Sequence, residues 1–306
     1  MKIAVVTDSA SYLTPKQITD HNIHVVPITV IFGQQTYLDN VEITTSEFYQ
    51  RLKTDPQMPT TTQVTLGQMQ TMYDQLAAED YDAVISIHLS SGITTFYSNL
   101  VNYLPNVKNI KVYPFDSRIA SAGEADLVML AAKLVEAGRS PEEIMRALTH
   151  LRDTIDAYFV VDDLSHLVRT GRLSNASSIV GGLLRIKPIL TFNDQAQIVA
   201  IEKERTMRRA YQRIKQKLQA AYDQATTPCV SPLSTPTTSS CKKTGLLIWK
   251  SASPRLKSPI VKLAQSSAST LVPVPWRYFG IMIGNSGQYL TERRSADEYF
   301  LHWRQG

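Results

Sequence analysis

The sequence predicts an α/β protein with two α/β domains. The first is a parallel sheet flanked by helices, and the second is incomplete. Three observations predict this. Short apolar, β-branched runs alternate with segments of helical periodicity. Several helical segments open on a capping box. The alternation persists through the first half of the chain, as parallel strands with helical crossovers require. With 306 residues, 43% apolar and 19% charged, the chain can bury a real core in one large domain or two ordinary ones.

The elements follow in order. Lys2–Thr7 is a short apolar run ending in Asp8-Ser9 and reads as a buried strand. Pro15–Asp20 fits a short helix, and the β-branched run Val25–Phe32, stopped by Gly33, fits a second strand. Thr44-Thr45-Ser46-Glu47 is a capping box whose helix continues through Phe48 and Leu52. The Pro- and Thr-rich stretch Pro56–Thr62 reads as a loop. Thr65-Leu66-Gly67-Gln68 opens a helix to about Glu79. Ala83–Leu89 is a strand, after which Ser90-Ser91-Gly92 turns into a helix over Thr94–Leu104. Ile110–Phe115 is a strand ending in Asp116-Ser117, Ala120–Ala137 a helix closed by Gly138, and Ser140-Pro141-Glu142-Glu143 a complete helix start. Further on, Tyr158–Val161 reads as a strand, and Leu164–Val168 leads into Arg169-Thr170-Gly171-Arg172. Ile179–Leu184 contains Gly181-Gly182, and Ile186–Thr191 is a strand interrupted by Pro188. Gln197–Ile201 is another strand, and Arg205–Gln224 is a basic amphipathic helix whose Arg208, Arg209, Arg213 and Lys215 form a solvated face.

Composition excludes several function classes. No run of about 18 apolar residues exists to span a membrane. Asp8 comes too early for a secretory leader, so the cytoplasm is the expected compartment. Two cysteines, Cys229 and Cys241, with no metal-spaced partners, exclude a disulfide scaffold and a zinc finger. The charge is uneven. Residues 1–225 hold 22 basic and 24 acidic residues, a balance of −2, while residues 226–306 hold 10 and 3, a balance of +7. The basic excess therefore lies in the last quarter and argues for no specific nucleic-acid partner. That quarter also changes in texture: 12 of residues 226–241 are Ser, Thr or Pro, and no acid occurs from Thr226 to Thr291.

In parallel sheets, ligands bind beyond the carboxyl ends of the strands. The segments expected there are Asp8-Ser9, Thr60-Thr61-Thr62, His88–Gly92 and Asp116-Ser117. They are small and hydroxyl-rich, and three of them precede helices, a setting suited to a carboxylate or phosphate. Asp8 and Asp116 fit turn formers or helix caps, since no carboxylate cluster surrounds either to hold a metal. His88 near Ser91 admits an alternative reading, a Ser/His esterase, but no Gly-x-Ser-x-Gly elbow and no orienting acid are evident.

Several segments together resemble the DegV family of bacterial lipid-binding proteins. Ile3–Ser9 and His24–Val30 are similar to its first two strands, and Pro59-Thr60-Thr61-Thr62-Gln63 to its Pro-Thr-Thr-Ser-Gln segment. Leu89-Ser90-Ser91-Gly92, Asp116-Ser117-Arg118, Leu167–Arg172, Lys187–Leu190 and Arg205-Thr206 continue in family order, over about residues 1–225. Two departures stand out. Thr95 stands where the family has a glycine, although Thr94 keeps the hydroxyl of a family serine. The family's closing Gly-x-His-x-Gly-Pro-Gly-Ala segment is missing. A one-base frameshift near residue 226 accounts for this, since permitted codons for Ser269–Trp276, read one base earlier, give Ile-His-Val-Gly-Pro-Gly-Ala-Met. Val230–Thr238 back-reads in the same frame as a family-like strand.

The resemblance implies a division into residues 1–155, an N-terminal lipid-head-binding domain; 156–225, the start of a second domain; and 226–306, an atypical, poorly ordered tail. It implies a fatty-acid-binding protein with no catalytic group and no cofactor, whose ligand is a long-chain fatty acid in an apolar tunnel. Thr61, Thr62, Ser91, Gly92 and Thr94 would hold the carboxylate. Arg169, Arg172 and Arg205 would face a phosphate or the partner, an ATP-dependent, dihydroxyacetone-kinase-like fatty-acid kinase that feeds phospholipid synthesis. The ligand would come from transient contact with a membrane surface. A frameshifted tail would leave this version impaired in binding. Sequencing the gene checks the frameshift: codons in 226–306 that cannot encode the family residues one base away exclude it.

Overall fold

The computed structural model describes residues 1–55, 57–161, 164–178 and 186–226, the last six without their side chains. The expectations for Ile179–Leu184 and for the tail from residue 227 onward, frameshift included, lie outside the described residues. The chain forms two compact units. The first comprises Met1–Arg152 with Phe192–Ile198, and the second takes the intervening residues from Asp153 and those from Val199 on.

The first unit is built on a four-stranded parallel sheet in the order β2-β1-β6-β7, from β2 (Ile23–Val26), β1 (Ile3–Asp8), β6 (Ala83–His88) and β7 (Lys111–Asp116). Both β1 and β6 are buried along their whole length, which explains why they read as continuous apolar runs rather than alternating ones. On one face Ala4, Val6 and Val84 pack with Met69, Tyr73 and Leu76 of α3 (Leu66–Ala78) and with Phe96 and Leu100 of α4 (Phe96–Tyr103). The opposite face is covered by α5 (Ser121–Glu136), which packs on β1, β6 and α6 (Pro141–Arg152).

The expected helix starts form as read. Thr44 and Glu47 make the capping box of α2 (Thr45–Thr54), and Thr65 and Gln68 that of α3. Thr14 and Gln17 make a third, on α1 (Pro15–Asp20), that sequence reading passed over. Gly138, at φ +69°, ends α5 in the left-handed conformation that Gly adopts at least cost.

Two expectations near the N-terminus are corrected. The run Val25–Phe32 is not one strand. It divides at Pro27 into β2 and β3 (Thr29–Phe32), and β3 joins a separate sheet of order β4-β3-β5. Proline has no N–H to continue the ladder, so the chain leaves the parallel sheet there. The stretch expected as a loop ends in β5 (Thr60–Thr62), which pairs antiparallel with β3, Thr61 opposite Val30. The third strand of that sheet is β4 (Gln35–Leu38), a polar segment without strand alternation.

In the second unit β8 (Phe159–Val160), β9 (Lys187–Phe192) and β10 (Ile198–Glu204) form a sheet of order β10-β9-β8. Pro188 does not interrupt β9, which runs through it. The helix α8 (Met207–Thr226) packs Ala210, Ile214 and Leu218 on Val160 and Ile189. Its basic face is partly paired: Arg213 and Lys217 both reach Glu202, at 2.6 Å and 2.5 Å.

Leu100 and Val101 are adjacent on α4, one fully buried in the sheet-facing cluster and the other exposed. Leu100→Ala is expected to cost about 2–5 kcal/mol in denaturant unfolding, and Val101→Ala less than about 0.5 kcal/mol. Equal costs would mean that α4 does not pack on this face.

Candidate functional site

The order of the parallel sheet reverses between β1 and β6, and the carboxyl ends of these two strands meet at Asp8 and His88. Asp8 is 2% exposed, so its carboxylate must find donors. Oδ1 accepts the N–H of Ala10 at 3.0 Å; Oδ2 accepts the N–H of Leu89 at 3.1 Å and lies 3.2 Å from His88 Nδ1. With that imidazole proton directed at Asp8, Nε2 accepts from the Ser86 hydroxyl at 2.7 Å, and Ser86 in turn accepts from the Tyr73 hydroxyl at 2.9 Å. Burial pushes the Tyr73 phenol well above its ordinary value and keeps it a donor. Phe96 closes this chain edge-on, its ring 4.8 Å from that of His88.

Acid, histidine and serine thus stand in series, which corrects the expectation that no acid orients His88. Eighty residues separate the two partners, so only the parallel pairing of β1 with β6 brings them together. The serine is Ser86, not Ser91, and both Ser86 and His88 have no exposed surface. The esterase reading needs Ser91 against His88; Ser91 instead donates its hydroxyl to Asp116 Oδ2 at 2.5 Å.

Beyond this buried chain lies the turn 90–94. The Ser91 N–H donates to Asp116 Oδ1 at 3.0 Å, and the same oxygen accepts the N–H of Arg118 at 3.0 Å. Two backbone bonds tie the neighbouring turns together, Ser117 N to His88 O at 3.1 Å and Ser90 N to Ile119 O at 2.9 Å. The Ser90 hydroxyl donates to Ala196 O at 2.6 Å, in the segment between β9 and β10. Gly92 is required by this approach, because a Cβ there would lie 2.1 Å from the Ala196 carbonyl oxygen. The Thr94 hydroxyl donates to Gln63 Oε1 at 2.5 Å and accepts the N–H of Phe96 at 2.9 Å, opening α4.

Gln63 directly follows Thr62, so this one bond fastens the end of β5 to the turn after β6. It brings the chain around Thr61 and Thr62 to that around Ser91, Gly92 and Thr94. Thr62 is exposed and Thr61 half-buried. Gln63 closed the Pro-Thr-Thr-Thr-Gln motif, yet its linking role was not apparent from sequence.

The three arginines belong to the second unit. Arg169 is the last residue of α7 (Ser165–Arg169), a helix the sequence reading left unassigned, and its guanidinium lies 3.2 Å from His166 Nδ1. Gly171, at φ +68°, follows this helix end. Arg172 is half-buried, and desolvation lowers its pKa from the ordinary value. Arg205 is exposed just before α8.

Behind the site stands Glu124 of α5, with no exposed surface. Its Oε1 accepts from Thr7 at 3.2 Å, and Oε2 has no hydrogen-bond partner among the described residues. Burial, with the charges of Asp8 and Asp116 adding to it, raises its pKa well above the ordinary 4.5. In sequence it looked like an ordinary first-turn helix acid. No group of acids, histidines and cysteines among the described residues has the arrangement to hold a metal ion.

This arrangement has relatives. The model of the DegV family, described as "Uncharacterised protein, DegV family", matches residues 2–243. The chain belongs to the DegV family. It is 44% identical over 215 residues to Protein DegV of Bacillus subtilis, covering 70% of this chain and 76% of that one. It is 38% identical over 225 residues to a DegV domain-containing protein of Listeria monocytogenes, covering 74% and 79%. Among solved structures it is similar to DegV of Bacillus subtilis, described as a fatty acid binding protein, with TM-score 0.68, 42% identity and coverage of 74% and 79%. It is also similar to a fatty acid binding DegV family protein of Streptococcus agalactiae, with TM-score 0.67, 32% identity and coverage of 72% and 78%. No helix among the described residues is long and apolar enough to cross a membrane.

Glu124 gives a pH test. Between the ordinary glutamate value of 4.5 and its raised value, the folded state keeps a proton that the unfolded state releases. Stability therefore falls as pH rises through that window. Glu124→Gln, which cannot ionise, is expected to flatten this slope and gain on the wild type from pH 5 to pH 8 in denaturant midpoints. An unchanged slope would mean that Glu124 is charged in the folded protein.

Proposed function

We propose that this DegV-family chain binds a long-chain fatty acid and presents its carboxylate to a separate ATP-dependent fatty-acid kinase. The observation that carries the reading is the Thr94–Gln63 bond, which joins the hydroxyl-rich end of β5 to the Ser90–Thr94 turn at the carboxyl end of the parallel sheet. The two relatives described above as fatty-acid binding support the ligand class.

Thr61, Thr62, Ser91, Gly92 and Thr94 form the carboxylate grip. Two of these donors are held by protein acceptors, Thr94 by Gln63 and Ser91 by Asp116. A bound carboxylate takes the Thr94 proton from a neutral amide oxygen, exchanging a neutral hydrogen bond for a charge-assisted one. Gly92 serves by holding the turn against Ala196. Each buried methylene of the acyl chain contributes about 0.8 kcal/mol, so the chain supplies most of the affinity and the hydroxyls set its register.

The chain supplies no chemistry of its own in this reading. The kinase phosphorylates the carboxylate, and the acyl phosphate passes to phospholipid synthesis. Arg169, Arg172 and Arg205 face the kinase or the phosphate. The fatty acid is collected by transient contact with a membrane surface.

Protein purified from cells is expected to carry fatty acid detectable by mass spectrometry. Thr94→Val keeps the branched shape and removes the donor; it is expected to weaken hexadecanoate binding about tenfold, the worth of a hydrogen bond to a charged group. Folded, ligand-free protein that takes up no hexadecanoate would end this reading.

A further inference from the structure

Ser91 belongs to the hydroxyl grip, yet both of its donors are engaged by one residue. Its N–H goes to Asp116 Oδ1 at 3.0 Å and its hydroxyl to Asp116 Oδ2 at 2.5 Å. A serine hydroxyl has one proton to donate and two lone pairs to accept with. With that proton on Asp116, Ser91 meets a ligand as an acceptor. Asp116 is itself held in place: Oδ1 also accepts the N–H of Arg118 at 3.0 Å, and backbone bonds from Ser117 and Ser90 tie the two turns together. Thr94 is held differently. Its acceptor is Gln63, a neutral amide, so a ligand carboxylate that takes the Thr94 proton gains charge assistance. At Ser91 the same exchange would replace one carboxylate by another and gain nothing. It would also set two carboxylates against one hydroxyl, and two carboxylates that share a site keep one proton between them.

The groups packed around Asp116 point the same way. His88 stands opposite it across the strand pair, but that ring is engaged by Asp8 and Ser86. Glu124, on α5, is raised by burial and then by the charges of Asp8 and Asp116. Tyr97, on α4, is raised by burial and by Asp116, with Arg152 and Arg118 opposing. Arg152, at the end of α6, donates to the Asp116 backbone carbonyl at 3.1 Å. Among the described residues the Asp116 carboxylate takes its hydrogen bonds from Ser91 and from the Arg118 N–H, and from no guanidinium. A carboxyl group brought to Ser91 therefore meets the same Asp116 charge that acts on Glu124 and Tyr97.

We infer that Asp116, acting through Ser91, selects a head group that carries a proton. The ligand oxygen at Ser91 donates to the serine oxygen, whose own proton remains directed at Asp116 Oδ2, and the second ligand oxygen accepts from Thr94. This rests on the fatty-acid reading above and adds the protonation state in which the ligand is held. Asp116 is a positioning residue here, since it touches Ser91 and not the ligand. A fatty acid that is ionised in water near neutral pH then takes up one proton as it binds.

The test is titration calorimetry of the full chain with tetradecanoate and with tetradecanamide, a neutral isostere whose amide N–H can donate to Ser91. Runs at pH 7 in buffers of different ionisation enthalpy count the protons exchanged. The wild type is expected to take up about one proton per tetradecanoate and none with the amide. Its tetradecanoate affinity is expected to fall about tenfold per pH unit between pH 6 and pH 8, as one linked proton requires, while the amide affinity stays level. Asp116→Asn keeps the shape and an acceptor; it is expected to cut uptake below about 0.3 proton and the slope to about twofold per pH unit. Glu124→Gln is expected to keep the wild-type uptake. Uptake that survives Asp116→Asn, or that vanishes in Glu124→Gln, would assign the proton to another group and overturn the inference. Wild-type tetradecanoate binding with no proton uptake would also overturn it, without calling on any variant, and would leave the fatty-acid reading standing. If the wild type binds neither ligand, the inference and the fatty-acid reading fall together.

Discussion

The Asp8 carboxylate is the constraint on which the rest of the site depends. It is buried where the strand order reverses, so it holds its place only while every donor around it is satisfied. Those donors come from three parts of the chain: the turn after β1, the His88 ring, and the backbone of Leu89 that begins the hydroxyl-rich turn. An unpaired charge at this depth would cost several kcal/mol. The same interactions that make the carboxylate tolerable also fix where Ser90, Ser91 and Gly92 stand. Tyr73 and Ser86 extend this fixed region into the apolar layer under α3, so the turn is anchored to the core as well as to the sheet end.

Around this anchor the hydroxyls are only part-buried. Ser91 and Thr94 rest on Asp116 and Gln63, side-chain acceptors from other segments, while Ser86 and His88 behind them have no exposed surface. Glu124 fits the same division. A charged carboxylate there would repel both Asp8 and Asp116, and burial together with those two charges raises its pKa from the ordinary glutamate value.

Local chemistry was legible in the sequence and long-range chemistry was not. The capping boxes at Thr44 and Thr65 were readable because cap and partner lie three residues apart. The fully buried strands β1 and β6 were readable from unbroken apolar runs. The break at Pro27 was missed, because β-branched residues on both sides of it read as one run, and two strands in two sheets meet there. Strands β4 and β5 carry too many polar residues to show alternation; they form because β3 presents a partner on each side. The hydroxyls of the candidate site were identified from their types and positions. Their present acceptors, Asp116 and Gln63, were not, because 25 and 31 residues separate each pair. Gly92 was read as a ligand contact, while its clearest demand is steric, set by a carbonyl more than a hundred residues away.

That carbonyl has a consequence for how the molecule is assembled. Residues 192–198 complete the first unit although the sheet they serve ends at residue 116. A nascent chain on the ribosome therefore carries every parallel strand long before the Ser90 hydroxyl acquires its acceptor. A gene fragment cut after Arg152 would encode that sheet yet lack the backstop of its Ser90–Gly92 turn, so dissecting the protein at the apparent boundary removes part of the first unit along with the second.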